Sequence, residues 1–161
     1  DKGTHNLISK FFSNQSKVFY VANLNEALLT LDKNPSINFI VSELFIDNEQ
    51  ATDVLTAIKS QAPHIVIMIL TSYRDSELLF KLINEGQIFR FLLKPSNSKM
   101  VGISLVRGLE KFQEISRNEK ILARYAVDTR LDTANETSEA SDTKDKSLIA
   151  RALNVFRLRR K

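Results

Sequence analysis

The segment Asn38-Phe-Ile-Val-Ser-Glu43 is a short apolar run that ends in a carboxylate. Such a run of apolar and small residues predicts a strand buried on both faces, as in a parallel sheet. Ligand crevices in open α/β sheets lie outside the carboxyl ends of the strands, so Glu43 is a candidate functional residue. Taken alone, the residue is better explained as an ordinary solvated acid at the end of a strand.

Composition limits the class of protein. The chain has 161 residues, of which 43% are hydrophobic and 26% are charged, with a formal net charge of +4. These values are typical of one globular domain with appendages, and no apolar run approaches the roughly 18 residues of a membrane span. The absence of cysteine excludes disulfides and agrees with the cytoplasmic location that we expect. Two isolated histidines, His5 and His64, do not form a zinc site.

Strands and helices alternate along the first two thirds of the chain. Strands are predicted at 17–22, 37–42, 64–70 and 88–93, and helices lie between them and before the first. This alternation predicts an α/β fold, a doubly wound parallel sheet with right-handed crossovers. The first predicted element is a helix. If the fold begins with a strand followed by a helix, we expect one further strand before Asp1.

The composition changes along the chain and divides it into four parts. Residues 1–112 are the α/β domain, and 113–126 extend the fifth helix, either as a pairing surface for a second copy or as a solvated extension. Residues 127–146 are acidic, lack periodicity and are predicted to be a disordered linker. Residues 147–161 form a basic amphipathic tail.

The tail is a candidate contact for an anionic partner. Its apolar residues share one helical face, and a protein, a membrane surface or nucleic acid could bind its cations. The alternatives are the start of a second domain or an exposed tail. The basic residues are Arg151, Arg157, Arg159, Arg160 and Lys161.

Three polar side chains follow three different predicted strands. Glu43 ends one strand, Thr71-Ser72 follows the next, and Lys94 follows the last. Parallel strands bring these residues to one sheet edge, where a carboxylate, a hydroxyl and an ammonium could bind one another or surround a phosphoryl group.

In this order the segments resemble the receiver domain of bacterial two-component response regulators, over about residues 1–112. The segment Leu82-Ile-Asn-Glu-Gly-Gln-Ile-Phe-Arg-Phe-Leu-Leu-Lys-Pro95 is especially similar to that family. The resemblance implies a flavodoxin-like receiver fold and a signalling role without enzymatic activity. By position, it implies that Glu43 is the equivalent of the phospho-acceptor and that Lys94 contacts the phosphoryl group. It also implies that Thr71 is the switch hydroxyl, with Ser72 beside it in the phosphoryl pocket, and that Phe91 is the switch aromatic.

The resemblance also shows where this chain departs from the family. Receivers are phosphorylated on an aspartate, and the extra methylene of Glu43 moves the carboxylate forward by roughly 1.5 Å. In-line attack requires placement to better than about 1 Å, so we do not expect conventional phosphotransfer from a histidine kinase. Family receivers hold Mg²⁺ with acids after the first strand. Asp1 is a candidate for one of them, and Mg²⁺ binding would need further acids upstream.

We therefore expect an atypical receiver, a pseudo-receiver that acts through protein–protein contacts. Its partner, a signalling protein or a second copy, would bind the face of the fourth helix, fifth strand and fifth helix. The alternatives are a receiver phosphorylated on Glu43 and a small α/β ligand-binding domain or enzyme. Against the last, the four glycines form no phosphate loop, and no nucleophile arrangement is evident. Candidate residues on the partner face are Arg74, Glu77, Lys81, Arg90 and Arg107.

Overall fold

The structure, a computed structural model, describes residues 2–13, 16–84, 88–118 and 149–152. The helices are α1 (Lys2–Phe12), α2 (Leu24–Lys33), α3 (Thr52–Gln61), α4 (Ser76–Asn84) and α5 (Ser98–Arg117). The strands are β1 (Phe39–Ser42), β2 (Phe45–Ile46), β3 (Glu49–Gln50), β4 (Val66–Thr71) and β5 (Arg90–Leu93).

The main sheet has three parallel strands in the order β1-β4-β5. Ser42 pairs with Ile69, and Thr71 pairs with Leu93, so the carboxyl ends of all three strands meet at one edge. All six residues of the central strand β4 are buried, which explains why its sequence is the most apolar of the chain. The predicted α/β fold with a parallel sheet is confirmed.

Helices cover both faces of this sheet. Alternate residues of β4 point to opposite faces, so Ile67 and Ile69 belong to one core cluster and Met68 and Leu70 to the other. The first cluster contains residues of α2, α3 and α4, and the second contains residues of α1 and α5. Among the described helices, none is both long enough and apolar enough to cross a membrane.

The predicted strand at 17–22 is the main difference from the sequence-based expectation. In the structure this segment forms no strand, and within the described residues β1 pairs only with β4. The segment has strand-forming residues, but a strand needs a neighbour for its backbone hydrogen bonds. A cavity separates it from β1.

A second difference is a small hairpin where the sequence predicted only a loop. Strands β2 and β3 pair antiparallel directly after Glu43. The turn between them holds Asp47 and Asn48 at φ values of 53° and 63°. Two consecutive positive φ angles are the signature of a type I′ turn, which suits the right-handed twist of a two-residue hairpin.

The predicted C-terminal regions are described only in part. Helix α5 ends at Arg117, and the Asn118 amide donates a hydrogen bond to the Ile115 carbonyl. The rest of the predicted helical extension and the whole acidic linker, 119–126 and 127–146, lie outside the described residues. Of the basic tail, only 149–152 is described.

Candidate functional site

The carboxyl edge of the sheet holds an ion pair between residues that are 51 positions apart. Glu43 follows β1, Lys94 follows β5, and the Lys94 ammonium donates to the Glu43 carboxylate across the end of β4. The side chains are 30% and 17% exposed, so water screens the pair only partly. The backbone amide of Lys94 donates to the Thr71 carbonyl at 2.8 Å, which fixes the lysine against the central strand. The Lys94–Pro95 peptide bond is cis.

Thr71 lies at the end of β4, between the two strands that supply the ion pair. Its side chain is fully buried, and its hydroxyl oxygen accepts a hydrogen bond from the Tyr73 amide at 3.3 Å. A hydroxyl that accepts one hydrogen bond still has its own proton to donate. The neighbouring Ser72 is exposed. The structure thus brings Glu43, Thr71 and Lys94 to the same edge, as the strand order predicted.

Phe91 occupies the middle of β5, opposite Ile69 of β4. Its ring is half-buried and packs against the core cluster that contains residues of α2, α3 and α4. The side chain therefore lies beneath the sheet edge on the side of α4.

Two aromatic residues at this edge were missed in the sequence. The rings of Phe45 and Tyr73 lie 4.4 Å apart at 35°, and they join the hairpin after Glu43 to the loop after β4. Aromatic pairs at such a centroid distance are worth about 0.5–1.5 kcal/mol. The Asp47-Asn48 pair was the available signal, because these residue types favour positive φ and a tight hairpin.

The described residues do not by themselves supply a metal site. Among them, no group of three or more His, Cys, Asp or Glu side chains is placed to hold an ion. Glu43 contacts Lys94, and Asp1 lies outside the described residues. Mg²⁺ binding at this edge would require carboxylates from beyond the described part of the chain.

Two of the five candidate partner-face residues make defined contacts within the domain. Lys81 of α4 forms an ion pair with Asp53 of α3, with 2.9 Å between Nζ and Oδ1. Arg90 of β5 donates a hydrogen bond to the Ser104 hydroxyl of α5 at 3.2 Å. Lys81 therefore joins α4 to α3, and Arg90 joins the edge strand to α5.

The other three candidates, Arg74, Glu77 and Arg107, are exposed. Helix α4, strand β5 and helix α5 also expose large apolar side chains, whereas most of a soluble surface exposes such side chains only one at a time. We call the exposed charged and apolar residues of these three elements the β5-edge surface. Its apolar members are Phe80 and Ile83 of α4, Leu93 of β5, and Met100, Ile103 and Val106 of α5.

The described part of the basic tail contacts the domain. Residues 149–152 are helical, Ala152 is fully buried in the core cluster that contains residues of α2, and Ile149 packs against that cluster. The Arg151 guanidinium donates a hydrogen bond to the Asn25 side chain. The remaining basic residues predicted to bind anions, Arg157, Arg159, Arg160 and Lys161, lie outside the described residues.

Comparison with known proteins identifies the fold. No family model matches the chain, and no curated protein is similar enough to count as a match. The signal receiver domain of an HD domain-containing protein from Pseudomonas fluorescens Pf-5 is 23% identical with a TM-score of 0.63, and the match covers 71% of this chain and 91% of that chain. A response regulator receiver domain protein from Clostridium thermocellum is 20% identical with a TM-score of 0.61, covering 71% and 92%. The chain has the receiver fold.

Proposed function

We propose that this protein is a receiver-type signalling module of a two-component phosphorelay, located in the cytoplasm. It acts by binding another protein or a second copy rather than by catalysis, and it is not switched by conventional aspartate phosphorylation. The observation that carries the proposal is the ion pair between Glu43 and Lys94 at the carboxyl edge of the sheet.

The ion pair supports this function through its position. In the receivers that the sequence resembles, the lysine contacts a phosphoryl group carried by an aspartate. Here the longer glutamate side chain reaches the ammonium directly, without a phosphoryl group. A carboxylate supplies one negative charge where a phosphoryl group supplies about 1.5 to 2. Glu43 therefore imitates part of the phosphorylated state permanently.

The β5-edge surface supports the interaction role. Phe80 is 64% exposed and Ile83 is 53% exposed, on the same side of one helix turn of α4. Leaving side chains of this size in water costs hydrophobic free energy that burial against a partner recovers. The exposed charges Arg74, Glu77 and Arg107 would form the polar rim of such an interface.

Intact mass after incubation with acetyl phosphate and Mg²⁺ tests the acceptor part of the proposal. The full native chain is compared with a Glu43→Asp variant. We expect the wild type to remain unmodified and the variant to gain one phosphoryl group, because aspartate restores the geometry for in-line attack. Labelling of the wild type at Glu43 would instead establish a phospho-accepting receiver. If neither protein reacts, Glu43 alone does not explain the absence of phosphorylation, and this part of the proposal loses its support.

Sedimentation or affinity capture tests the surface. Ile103→Glu on α5 is expected to weaken association with the partner or the second copy by about tenfold or more, since a buried carboxylate opposes an apolar interface. Leu29→Glu is the matched control, because Leu29 is a similarly exposed leucine on α2, away from the β5-edge surface. Equal effects of the two substitutions would exclude this surface as the interface.

A further inference from the structure

Residues 149–152 contact α2 although they lie far from it in the sequence. Arg151 and Asn25, whose side chains share a hydrogen bond, are 126 positions apart. Ala152 is fully buried in the core cluster that contains residues of α2, and Ile149 packs against that cluster. The segment therefore contacts the domain through one polar and two apolar side chains.

The contact uses one face of the segment. Residues 149–152 are helical, and residues three positions apart share a face of a helix, so Ile149 and Ala152 point in the same direction. Both pack on the core cluster, whereas Ala150, which lies between them in the sequence, is exposed. An amphipathic helix packs on a partner in this way, with its apolar face inward. The segment thus docks on α2 in a defined orientation.

The surface at α2 selects a small side chain. Ala152 has an exposed fraction of 0%, so a longer side chain at this position would have to displace close-packed neighbours or leave the surface. Asn25 is neutral, so its hydrogen bond with Arg151 adds direction without forming an ion pair. The surface therefore fits a helical segment in which a small apolar residue directly follows a long hydrogen-bond donor.

We propose that α2 is a further interaction surface of this domain, and that residues 149–152 occupy it reversibly from within the same chain. While it is docked, the segment excludes from α2 any other helical segment of the same chemistry. Because the segment and α2 belong to one chain, the docking is intramolecular and does not depend on protein concentration. The proposal concerns α2 and does not depend on the proposed function.

The small size of the contact makes the docking reversible. One fully buried alanine, one half-buried isoleucine and one hydrogen bond oppose the backbone freedom that the segment loses on docking. Stable protein interfaces use about 20 to 30 residues on each side. The segment should therefore leave α2 far more often than the domain unfolds, and its amides should be protected from hydrogen exchange by only about 10- to 100-fold.

Paramagnetic broadening of amide signals in the full chain tests the docking. The chain has no cysteine, so Leu29→Cys, at an exposed position of α2, provides one site for a nitroxide label. We expect the label to broaden the amide signals of 149–152. Ala152→Glu should abolish this broadening, because the buried position offers a carboxylate no compensation for the loss of water. Ala150→Glu is the matched control, since it makes the same substitution at an exposed position of the same segment, and it should leave the broadening unchanged.

A synthetic peptide of residues 147–154 tests the surface of α2 directly. We expect the peptide, and not its scrambled form, to shift the amide signals of α2 in the Ala152→Glu chain. In the wild type its affinity should be about 10- to 100-fold lower, because the chain's own segment occupies the surface for most of the time. Equal affinities in the two chains, or no binding to the variant, would overturn the proposal.

The remaining outcomes are also decisive. Broadening that passes from nitroxide-labelled chains to isotope-labelled chains in a mixture would identify a second copy as the occupant and overturn the proposal. Absence of broadening in the wild type, or equal effects of Ala152→Glu and Ala150→Glu, would overturn it as well. Protection of the 149–152 amides that equals that of β4 would contradict reversible docking. If Ala152→Glu does not fold, the broadening and the exchange in the wild type still decide the proposal.

Discussion

The two edges of the main sheet differ sharply, although neither β1 nor β5 has a second strand partner among the described residues. The β5 edge opens to the surface, where Leu93 is 40% exposed. The β1 edge faces a cavity of about 820 Å³ whose other wall is 16–22. One edge is therefore bounded by solvent and the other by protein.

The sequences of the two strands match this difference. Natural edge strands are protected from further pairing by short length, charges and proline. β5 begins at Arg90 and is followed at once by Lys94-Pro95, whereas β1 is Phe39-Ile-Val-Ser42 with no charge or proline. β5 and the residues that follow it therefore have the charges and the proline that are typical of an edge strand. β1 has the composition of an interior strand, although among the described residues it pairs only with β4.

The largest expected effect comes from truncating one apolar side chain at each edge. Ile40→Ala in β1 should lower the free energy of unfolding by about 2 kcal/mol, because Ile40 packs against the core cluster that contains residues of α2 and α3. Leu93→Ala in β5 should cost about 0.5 kcal/mol, because Leu93 is 40% exposed. Urea unfolding measures both values. Equal losses would mean that the two edges are energetically alike.

The sequence predicted the order of elements but not the pairing of the first strand. β4 was clear because Ile65 to Leu70 are six consecutive apolar residues shortly after Pro63, and the shared edge of Glu43, Thr71 and Lys94 followed from the parallel strands. The segment 17–22 failed as a prediction because strand propensity depends on a neighbouring strand, which local sequence does not encode. The Phe45–Tyr73 contact could not be foreseen, since it joins two loops whose relative position only the fold determines.

A second comparison uses two glycines of α5. A Cβ on Gly108 would lie 2.0 Å from Cε2 of Phe39, so Gly108→Ala should cost about 1–3 kcal/mol of stability through overpacking. A Cβ on Gly102 would meet Phe11 at 3.4 Å, and Gly102→Ala should be neutral or stabilise the helix by up to about 1 kcal/mol.

The ion pair joins the two edges, because Glu43 extends from β1 and Lys94 from β5. Glu43→Gln should lower stability by about 1–2 kcal/mol, since it leaves a largely buried ammonium without its carboxylate. A double-mutant cycle with Lys94→Met isolates the coupling free energy. Glu114→Gln is the matched control, because the Glu114–Lys111 pair lies within one helix turn with Glu114 54% exposed, and it should be worth less than about 0.5 kcal/mol. Equal couplings would show that the pair at the sheet edge has no special strength.

The last prediction concerns Lys59, whose ammonium lies at the amino end of the central strand that both edges share. Its ammonium donates to the carbonyls of Pro63 and Ile65 at 2.7 and 2.8 Å. Burial, with a smaller contribution from the charge of Lys111, lowers the pKa of Lys59 from 10.5 to about 8. Above pH 8 the folded protein therefore releases this proton before the unfolded chain does.

Because the unfolded chain then binds more protons, stability should rise with pH in this window. The contribution of Lys59 between pH 8 and pH 9 is about 1 kcal/mol. Urea unfolding at both pH values gives the change in the free energy of unfolding with pH. The contribution of Lys59 is the difference in this change between the wild type and Lys59→Met. Parallel slopes would mean that the pKa of Lys59 is the same in the folded and unfolded chains. Because β4 is common to both edges, exchange protection of β1 and of β5 should rise together with pH, and a rise at only one edge would show that the edges unfold separately.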